Sequence, residues 1–348
     1  MKILLADIHG FLDNLKAPIE LINFRAEYYK FVITSLLKAV GVSLDKLEFV
    51  LGSSYQLTPE YSMDLFRIST LVSEHDAKKA GAEVVKQVDN APLSSLIYPL
   101  MQSLDEQHLG VDAQFGGVDQ RKIFTLATEV LPKAGFKARC HLMNPMVPGL
   151  AGGKMSASDP DSKVDILDTE DTVRRKIKKA YAAAQQVDGN GMISFVEHAL
   201  LPASALQNEN GEPKFKVELK EGNEEPLVYS NIRSLKDDYL TDKLTPQLLK
   251  SSVTRALVDL LRPIQAEFQA SQEWQDVERK AYPPAETGKK KKTPKDKGSR
   301  YPGASNFSSE KSAGSTQSSD IPRAAAAAAE LGNNLDEAMG KLEVDRGR

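Results

Sequence analysis

Residues 98–122, YPLMQSLDEQHLGVDAQFGGVDQRK, decide how the first half of this chain folds. Tyr98, Gln102 and Asp105 have the spacing i, i+4 and i+7, which places them on one helix face within an arc of about 60°. A short strand follows, then two glycines, and then a helix that starts at residues 118–120. This order predicts a pocket for a small polar molecule beside a corner where a nucleotide can bind. Apolar residues fall mostly on the opposite helix face, toward a predicted core: Leu93, Leu96, Ile97, Leu100 and Leu104.

Short apolar runs alternate with helical patterns on both sides of this stretch. That alternation is typical of a doubly wound parallel sheet, and we expect an α/β fold for the first half. From residue 167 the pattern becomes mainly helical, which predicts a second, helical domain. The predicted strands are 3–6, 47–51, 111–114 and 137–142, with further strand-like segments at 215–219 and 227–229. The predicted helices are 17–40, two within 58–87 with a break at 73–76, 92–107, 119–130, 171–184, 193–201, 231–240 and 246–272.

Composition narrows the class of protein. A chain of 348 residues can hold two domains and a tail. The net charge of −3 predicts no general affinity for nucleic acid, so such binding must come from local patches. The single cysteine, Cys140, excludes an internal disulfide and fits a reducing compartment. Because no apolar run approaches the ~20 residues of a membrane span, we expect a soluble cytoplasmic protein with no membrane partner.

The region beyond about residue 283 is rich in Gly, Pro, Ser and Lys. Such a composition buries too little apolar surface to fold, so we expect disorder there. Its basic run at 289–292 has two interpretations that the sequence leaves open. The run could contact a phosphate backbone, or it could be a solvated linker or nuclear-import signal. Residues 324–331, rich in alanine, predict an isolated helix.

A second motif, GGKMSASDP at 152–160, is a glycine-rich loop that carries one lysine and two serines. Lys154, Ser156 and Ser158 offer a cation and hydroxyl donors, which suit phosphate oxygens. The loop is not a Walker motif, because Pro148 and Met155 stand where that motif needs glycine and Ser or Thr. A plain surface loop is the competing interpretation.

Asp119 stands at the start of a helix, directly after the glycine pair. A carboxylate at that corner can accept hydrogen bonds from ribose hydroxyls, while Gly117 lets a sugar or base approach the backbone. A stabilising charge near a helix N-terminus is an equally good interpretation. The five histidines are scattered without metal-ligand spacing, so we expect no protein-bound metal. His9-Gly10 is only a partial match to a nucleotide-binding His-x-Gly-His and is rejected.

Taken together, these segments resemble the tyrosyl-tRNA synthetases of the eukaryotic cytoplasmic and archaeal type, which are class I aminoacyl-tRNA synthetases. The resemblance runs from residues 4–9, LLADIH, to about residue 268. KMSAS at 154–158 corresponds to the second family signature, KMSKS. Tryptophanyl-tRNA synthetases can also carry KMSAS, but the Tyr98, Gln102, Asp105 spacing and the tripeptide at 113–115 favour tyrosine.

The resemblance implies the role of each motif residue. Tyr98 and Gln102 would hold the amino group of bound L-tyrosine, and Asp105 would accept a hydrogen bond from its phenolic hydroxyl. Gln120 would approach the reacting carboxylate, and Asp119 the ATP ribose beside Gly117. The other matching positions are Ala6, His9 and Gln56 around the tyrosine, Lys154, Ser156 and Ser158 at the leaving pyrophosphate, and Arg121, Lys122 and Lys79 at the tRNA acceptor end.

The resemblance also implies an organisation and a reaction. Residues 1–165 would be the Rossmann-like catalytic domain, with a dimerisation insertion at about 67–104, and 166–275 a mainly helical anticodon-binding domain before the low-complexity tail at 276–348. Tyrosine attacks the α-phosphate of ATP, with Mg²⁺ implied, and the tyrosyl group then passes to tRNA-Tyr. The implied protein is a homodimeric tyrosine–tRNA ligase of translation.

The sequence differs from the family pattern at three places. The family places its His-x-Gly-His-like signature and its first strand upstream of the segment matching Ile3. We therefore expect this chain to lack both, and to be weakly active or inactive as 348 residues. Ala157 replaces the second signature lysine, and Leu248 stands where the family has an acid that reads the anticodon. The alternative is a non-catalytic relative that binds tRNA or dimerises.

Overall fold

Two pairs of parallel strands organise the first half of the computed structural model, which describes residues 1–13, 18–85, 91–153, 155, 160–219 and 225–283. Strand β1 (Lys2–Leu5) pairs with β2 (Glu48–Leu51), and β3 (Ala113–Gly117) pairs with β4 (Cys140–Asn144). All four predicted strands are present. The third and fourth begin two and three residues later than predicted, and the glycine pair lies inside β3. Among the described residues the pairs form separate sheets, so a single doubly wound sheet stays a prediction.

Helices directly follow β1, β2 and β3, as the alternating pattern predicts, and the next described α-helix after β4 begins at Glu170. The predicted break at 73–76 is confirmed: one helix ends at Ser69, and Ser73 caps the next by accepting a hydrogen bond from the Asp76 amide. The two glycines, Gly116 and Gly117, are followed by a 3₁₀ turn at Val118–Gln120, and this segment is called the glycine corner. The helices are α1 (Asp7–Leu12), α2 (Ile22–Ala39), α3 (Ser53–Gln56), α4 (Pro59–Ser69), α5 (Glu74–Gly81), α6 (Ser94–His108) and α7 (Arg121–Val130).

Helix α6 lies at the centre of the first hydrophobic core. Leu104 is completely buried and Leu100 nearly so, and they pack with apolar side chains of α4, α5 and α7. Full burial of one such leucine contributes about 1.5–3 kcal/mol. The prediction that Leu93 and Ile97 face this core is wrong, because these side chains are 75% and 38% exposed. Leu93 precedes the helix, and Ile97 lies on a face that is only partly covered.

The second half is mainly helical, as the sequence predicts. The long helix predicted at 246–272 ends at Ala270, where Ser271 turns the chain. Ser271 also caps one further helix, which the sequence pattern does not predict. The last helix continues through residues 276–281, which the sequence analysis assigns to the tail. The elements are α8 (Glu170–Lys179), α9 (Gly191–Phe195), a π-helical turn (Val196–Leu200), α10 (Leu201–Gln207), the antiparallel strands β5 (Phe215–Val217) and β6 (Leu227–Tyr229), α11 (Ile232–Leu240), α12 (Pro246–Ala270) and α13 (Gln272–Ala281).

Helix α2 packs against the helices at the end of the described chain. The Phe31 ring stacks on Trp274 with a centroid distance of 5.6 Å, and the Ser35 hydroxyl donates a hydrogen bond of 2.6 Å to Glu267. The second hydrophobic core therefore contains residues from both halves of the sequence. The described residues belong to one compact unit, Met1–Glu286, and the predicted boundary at residue 165 stays a prediction. No described helix is both long and apolar enough to cross a membrane. The predicted disordered tail and the predicted helix at 324–331 lie outside the described residues.

Candidate active site

Asp105 is the centre of a buried group of polar side chains. Its side chain is 1% exposed, and Oδ1 accepts hydrogen bonds from Gln56 Nε2 at 2.8 Å and from the Tyr61 hydroxyl at 2.9 Å. Oδ2 has no hydrogen-bond partner and lies 3.6 Å from His9 Nε2, which also has none. A buried carboxylate oxygen without a donor costs free energy. The arrangement therefore suits a ligand that donates a hydrogen bond to Oδ2.

His9 forms the wall next to this open oxygen. Burial lowers the pKa of His9 from its ordinary value of 6.5, although Asp105 and Asp7 oppose that shift. The imidazole is therefore neutral at pH 7 and has one donor and one acceptor nitrogen. The Tyr98 ring meets it edge-on at a centroid distance of 4.7 Å. The structure thus brings Tyr98, His9, Gln56 and Asp105 together, as the resemblance implies.

The tyrosine hydroxyls around Asp105 stay protonated. Burial raises the pKa of Tyr98 to about 12, and it raises the pKa values of Tyr55 and Tyr61 far above the ordinary 10, with the charge of Asp105 adding to the shift. A protonated hydroxyl donates to a carboxylate, so Tyr61 supports the negative charge of Asp105. The Tyr55 hydroxyl and Gln56 Oε1 are buried without hydrogen-bond partners. The group around Asp105 therefore contains unsatisfied polar atoms that a polar ligand could pair with.

A side-chain hydrogen bond joins α6, the helix of Asp105, to the turn after the two glycines. Gln102 Nε2, on α6, donates to Gln120 Oε1, in the turn after β3, at 2.9 Å. A Cβ added at Gly117 would lie 2.5 Å from Asp119 Oδ1, so a larger residue there would displace the Asp119 carboxylate. Gly117, Asp119 and Met155 line one cavity of about 240 Å³. The predicted tyrosine and nucleotide positions are therefore connected through two glutamines.

The remaining predicted site residues fall into three places. Lys79, Arg121 and Lys122 line one surface cavity of about 210 Å³, in which Lys122 Nζ pairs with Glu83 at 2.9 Å. Ala6 lines a different cavity, and its carbonyl accepts the Gly10 amide hydrogen. Lys154, Ser156 and Ser158 lie outside the described residues.

Tyr61 and Tyr55 belong to the group around Asp105, although no sequence motif indicates them. Tyr61 lies on α4 at a position whose apolar neighbours indicate a core residue, and its side chain is 1% exposed. No local spacing relates it to Asp105, because the two belong to different helices. A buried tyrosine opposite a buried acid becomes visible only once the helices are packed.

A comparison of the sequence with models of protein families decides the assignment. The family described as tRNA synthetases class I (W and Y) matches residues 1–262. The chain belongs to the class I tRNA synthetases. The Asp105 group and the glycine corner lie within the matched residues, as does the loop at 152–160.

Several relatives of this class I synthetase are named as tyrosine–tRNA ligases. The protein named tyrosine–tRNA ligase, cytoplasmic, of Saccharomyces cerevisiae is 52% identical over 307 residues, which cover 87% of this chain and 78% of the relative. The protein of the same name from Danio rerio is 50% identical over 283 residues, covering 81% and 52%. The chain thus spans most of the yeast relative and about half of the fish relative.

Solved structures resemble the fold of this synthetase chain. The tyrosyl-tRNA synthetase from Archaeoglobus fulgidus, complexed with L-tyrosine, has a TM-score of 0.68 and 35% identity over 76% of this chain and 78% of that one. The enzyme from Pyrococcus horikoshii, also complexed with L-tyrosine, has a TM-score of 0.72 and 26% identity over 80% and 81%. A tryptophanyl-tRNA synthetase from Giardia lamblia, at 17% identity and a TM-score of 0.55, shares the fold alone. The α/β half is therefore Rossmann-like.

Proposed function

We propose that this chain is a tyrosine–tRNA ligase of the cytoplasm, active in translation. The observation that carries the proposal is the open carboxylate oxygen Oδ2 of Asp105, buried beside neutral His9. A phenolic hydroxyl can donate to Oδ2, whereas a phenyl ring would leave that oxygen buried and unpaired. The names of the relatives support the same substrate and the same compartment.

Positioning is the main contribution of the tyrosine site to the reaction. Asp105 fixes the phenol end, while Gln102, one turn earlier on α6, and Tyr98, two turns earlier, hold the amino group. Gln120, hydrogen-bonded to Gln102, then faces the tyrosine carboxylate. Because the attack on the α-phosphate needs no enzyme-bound covalent intermediate, orientation and charge stabilisation supply the rate.

ATP is the second substrate, and we assign its ribose to Asp119 beside Gly117. The cavity that these residues line also includes Met155, the residue that follows Lys154 in the sequence. We propose that Lys154, Ser156 and Ser158 contact the pyrophosphate as it leaves. We assign the implied Mg²⁺ to the ATP phosphates. Among the described residues, no group of three or more His, Cys, Asp or Glu side chains could hold a metal ion.

We propose that Lys79, Arg121 and Lys122 receive the acceptor end of tRNA-Tyr. The three cations line one surface cavity, and Arg121 and Lys122 directly follow the Asp119-Gln120 pair. We assign anticodon binding to the helical part at 166–275. Leu248 packs against the hydrophobic core there, so anticodon reading would use other side chains than this one.

We propose a homodimer through the segment at about 67–104. Large apolar side chains remain exposed in or next to this segment: Phe66 is 64% exposed and Leu93 75%. A dimer interface over this segment would cover these apolar side chains. Light scattering should give twice the chain mass for the wild type and one chain mass for Phe66→Glu, and a wild-type monomer would contradict this part of the proposal.

Pyrophosphate exchange tests the ligase function. The chain is incubated with ATP, labelled pyrophosphate and each of tyrosine, tryptophan and phenylalanine, and charging of tRNA-Tyr is measured in parallel. We expect exchange above the background only with tyrosine, and loss of that exchange in Asp105→Ala. Tyrosine binding without exchange would refute adenylation, and exchange that depends on tryptophan would refute the substrate.

A further inference from the structure

Buried Glu106 and partly buried His141 form a second polar pair, which the proposed function does not use. Glu106 follows Asp105 on α6, so its side chain points about 100° away around the helix. It is 1% exposed, and its Oε1 lies 2.6 Å from Nε2 of His141, on β4. Glu106 Oε2 is buried without a hydrogen-bond partner. The pair therefore connects α6, which carries the residues proposed to bind tyrosine, with β4 of the β3–β4 pair.

His141 meets polar groups through both ring nitrogens. The Thr128 hydroxyl, which donates to the Phe124 carbonyl at 2.9 Å, lies 3.5 Å from His141 Nδ1. One hydrogen lies between His141 Nε2 and Glu106 Oε1, which are 2.6 Å apart. Burial raises the pKa of Glu106, against the opposing effects of His141 and Arg139, and Asp105 raises it further.

Further contacts fix the same strand against α6. Arg139 Nη2 donates to Gln107 Oε1 at 2.7 Å, and its Nε donates to the Val111 carbonyl at 3.0 Å. The Phe124 ring stacks on the His141 imidazole at a centroid distance of 4.6 Å. Strand β4 leads on to Met146, which lines the cavity of Asp119. Two neighbouring side chains of α6 thus hold the strand that leads to the nucleotide corner.

We infer that Glu106 and His141 are a positioning pair for tyrosine activation. The pair holds β4, and with it the nucleotide corner, in a fixed position relative to the residues of α6 that bind the substrate tyrosine. The inference rests on the proposed function. Gln56, Tyr61 and His9 contact Asp105 from elements other than β4. Tyrosine affinity therefore does not depend on the pair, whereas the reaction does, because it needs both substrates aligned.

Three variants of the full chain test the pair: His141→Gln, Glu106→Gln and the double variant. In His141→Gln the buried carboxyl loses its partner, and we expect kcat for tyrosine-dependent exchange to fall about 10- to 100-fold. The tyrosine Kd from calorimetry should stay within about twofold, since its contacts are untouched. The double variant can form an amide–amide hydrogen bond at the same place and should recover most of kcat. Glu74→Gln, which breaks the exposed pair with Lys78, is the matched control and should leave kcat unchanged.

Two measurements remain informative whatever the activity. The shared proton should give a low-field ¹H resonance in the wild type that both single variants lose. Amide hydrogen exchange should become faster in β4 of His141→Gln and remain unchanged in α3 and α4. Unchanged kcat, or a tyrosine Kd that rises in step with the loss of kcat, would overturn the inference, as would unchanged protection of β4. If none of the tested amino acids supports pyrophosphate exchange by the wild type, the proposed function fails. The ¹H resonance and the hydrogen-exchange protection of β4 then decide by themselves whether the pair holds the strand.

Discussion

Replacement of Asp105 by alanine should change both the affinity and the selectivity of the tyrosine site. The variant removes a charged acceptor, whose hydrogen bond to the phenol contributes about 1.5–3 kcal/mol. At about 1.4 kcal/mol per factor of ten, the tyrosine Kd should rise about 10- to 150-fold. Phenylalanine should bind no worse than to the wild type, because the variant no longer buries an unpaired oxygen.

Calorimetric titration with both amino acids measures this effect as the ratio of the two Kd values. Asp105→Asn is the matched control: its Oδ1 still accepts from Gln56 and Tyr61, but the charge is lost, so its tyrosine Kd should be intermediate. Asp105→Ala also leaves Gln56 Nε2 without its acceptor, which should lower the free energy of unfolding by about 1–3 kcal/mol. A ratio of phenylalanine to tyrosine Kd that stays at the wild-type value in a folded Asp105→Ala would refute the role of this carboxylate.

Three further predictions concern stability. Asp168→Ala should lower the free energy of unfolding by about 3–5 kcal/mol, because Lys176, 5% exposed and 2.6 Å from Asp168, would become an unpaired buried charge. In the same denaturation experiment, Glu74→Ala, which removes the exposed pair with Lys78, should cost under about 1 kcal/mol. Equal losses in the two variants would contradict this prediction. Because the folded pKa of His9 lies below the unfolded value of about 6.5, the unfolded chain binds more protons as the pH falls below 6.5, so Tm should drop between pH 7 and pH 5.5. His9→Gln should reduce that drop and His75→Gln should not. Trp274, the one tryptophan of the chain, is fully buried, so Trp274→Ala should cost about 3–5 kcal/mol in chemical denaturation, and a loss below 1 kcal/mol would contradict its place in the core.

Local periodicity predicts the parts of this fold that depend on neighbouring residues. The spacing of Tyr98, Gln102 and Asp105 needs only the geometry of one helix, and the helix that carries all three is present as α6. The break before α5 is visible for the same reason, since Ser73 is a helix-capping residue type. The glycine corner is also local, because it depends on consecutive residues.

Long-range packing decides what the sequence alone does not. Tyr61 reaches Asp105 from another helix, and Trp274 stacks on Phe31 from the far end of the described chain. Neither contact leaves a periodic signal, because each depends on how separate elements pack. Ile97 shows the opposite error: its helical spacing indicates a core position, but its side chain remains 38% exposed. Such side chains are where a surface for another molecule is to be sought.

A crystal structure of the chain with L-tyrosine tests the central claim most directly. The account predicts the phenolic oxygen within about 2.5–2.7 Å of Asp105 Oδ2 and the amino group beside Tyr98 and Gln102. Gln56 and Tyr61 should keep their hydrogen bonds to Oδ1. A tyrosine bound in the reverse orientation, or bound away from Asp105, would contradict the account.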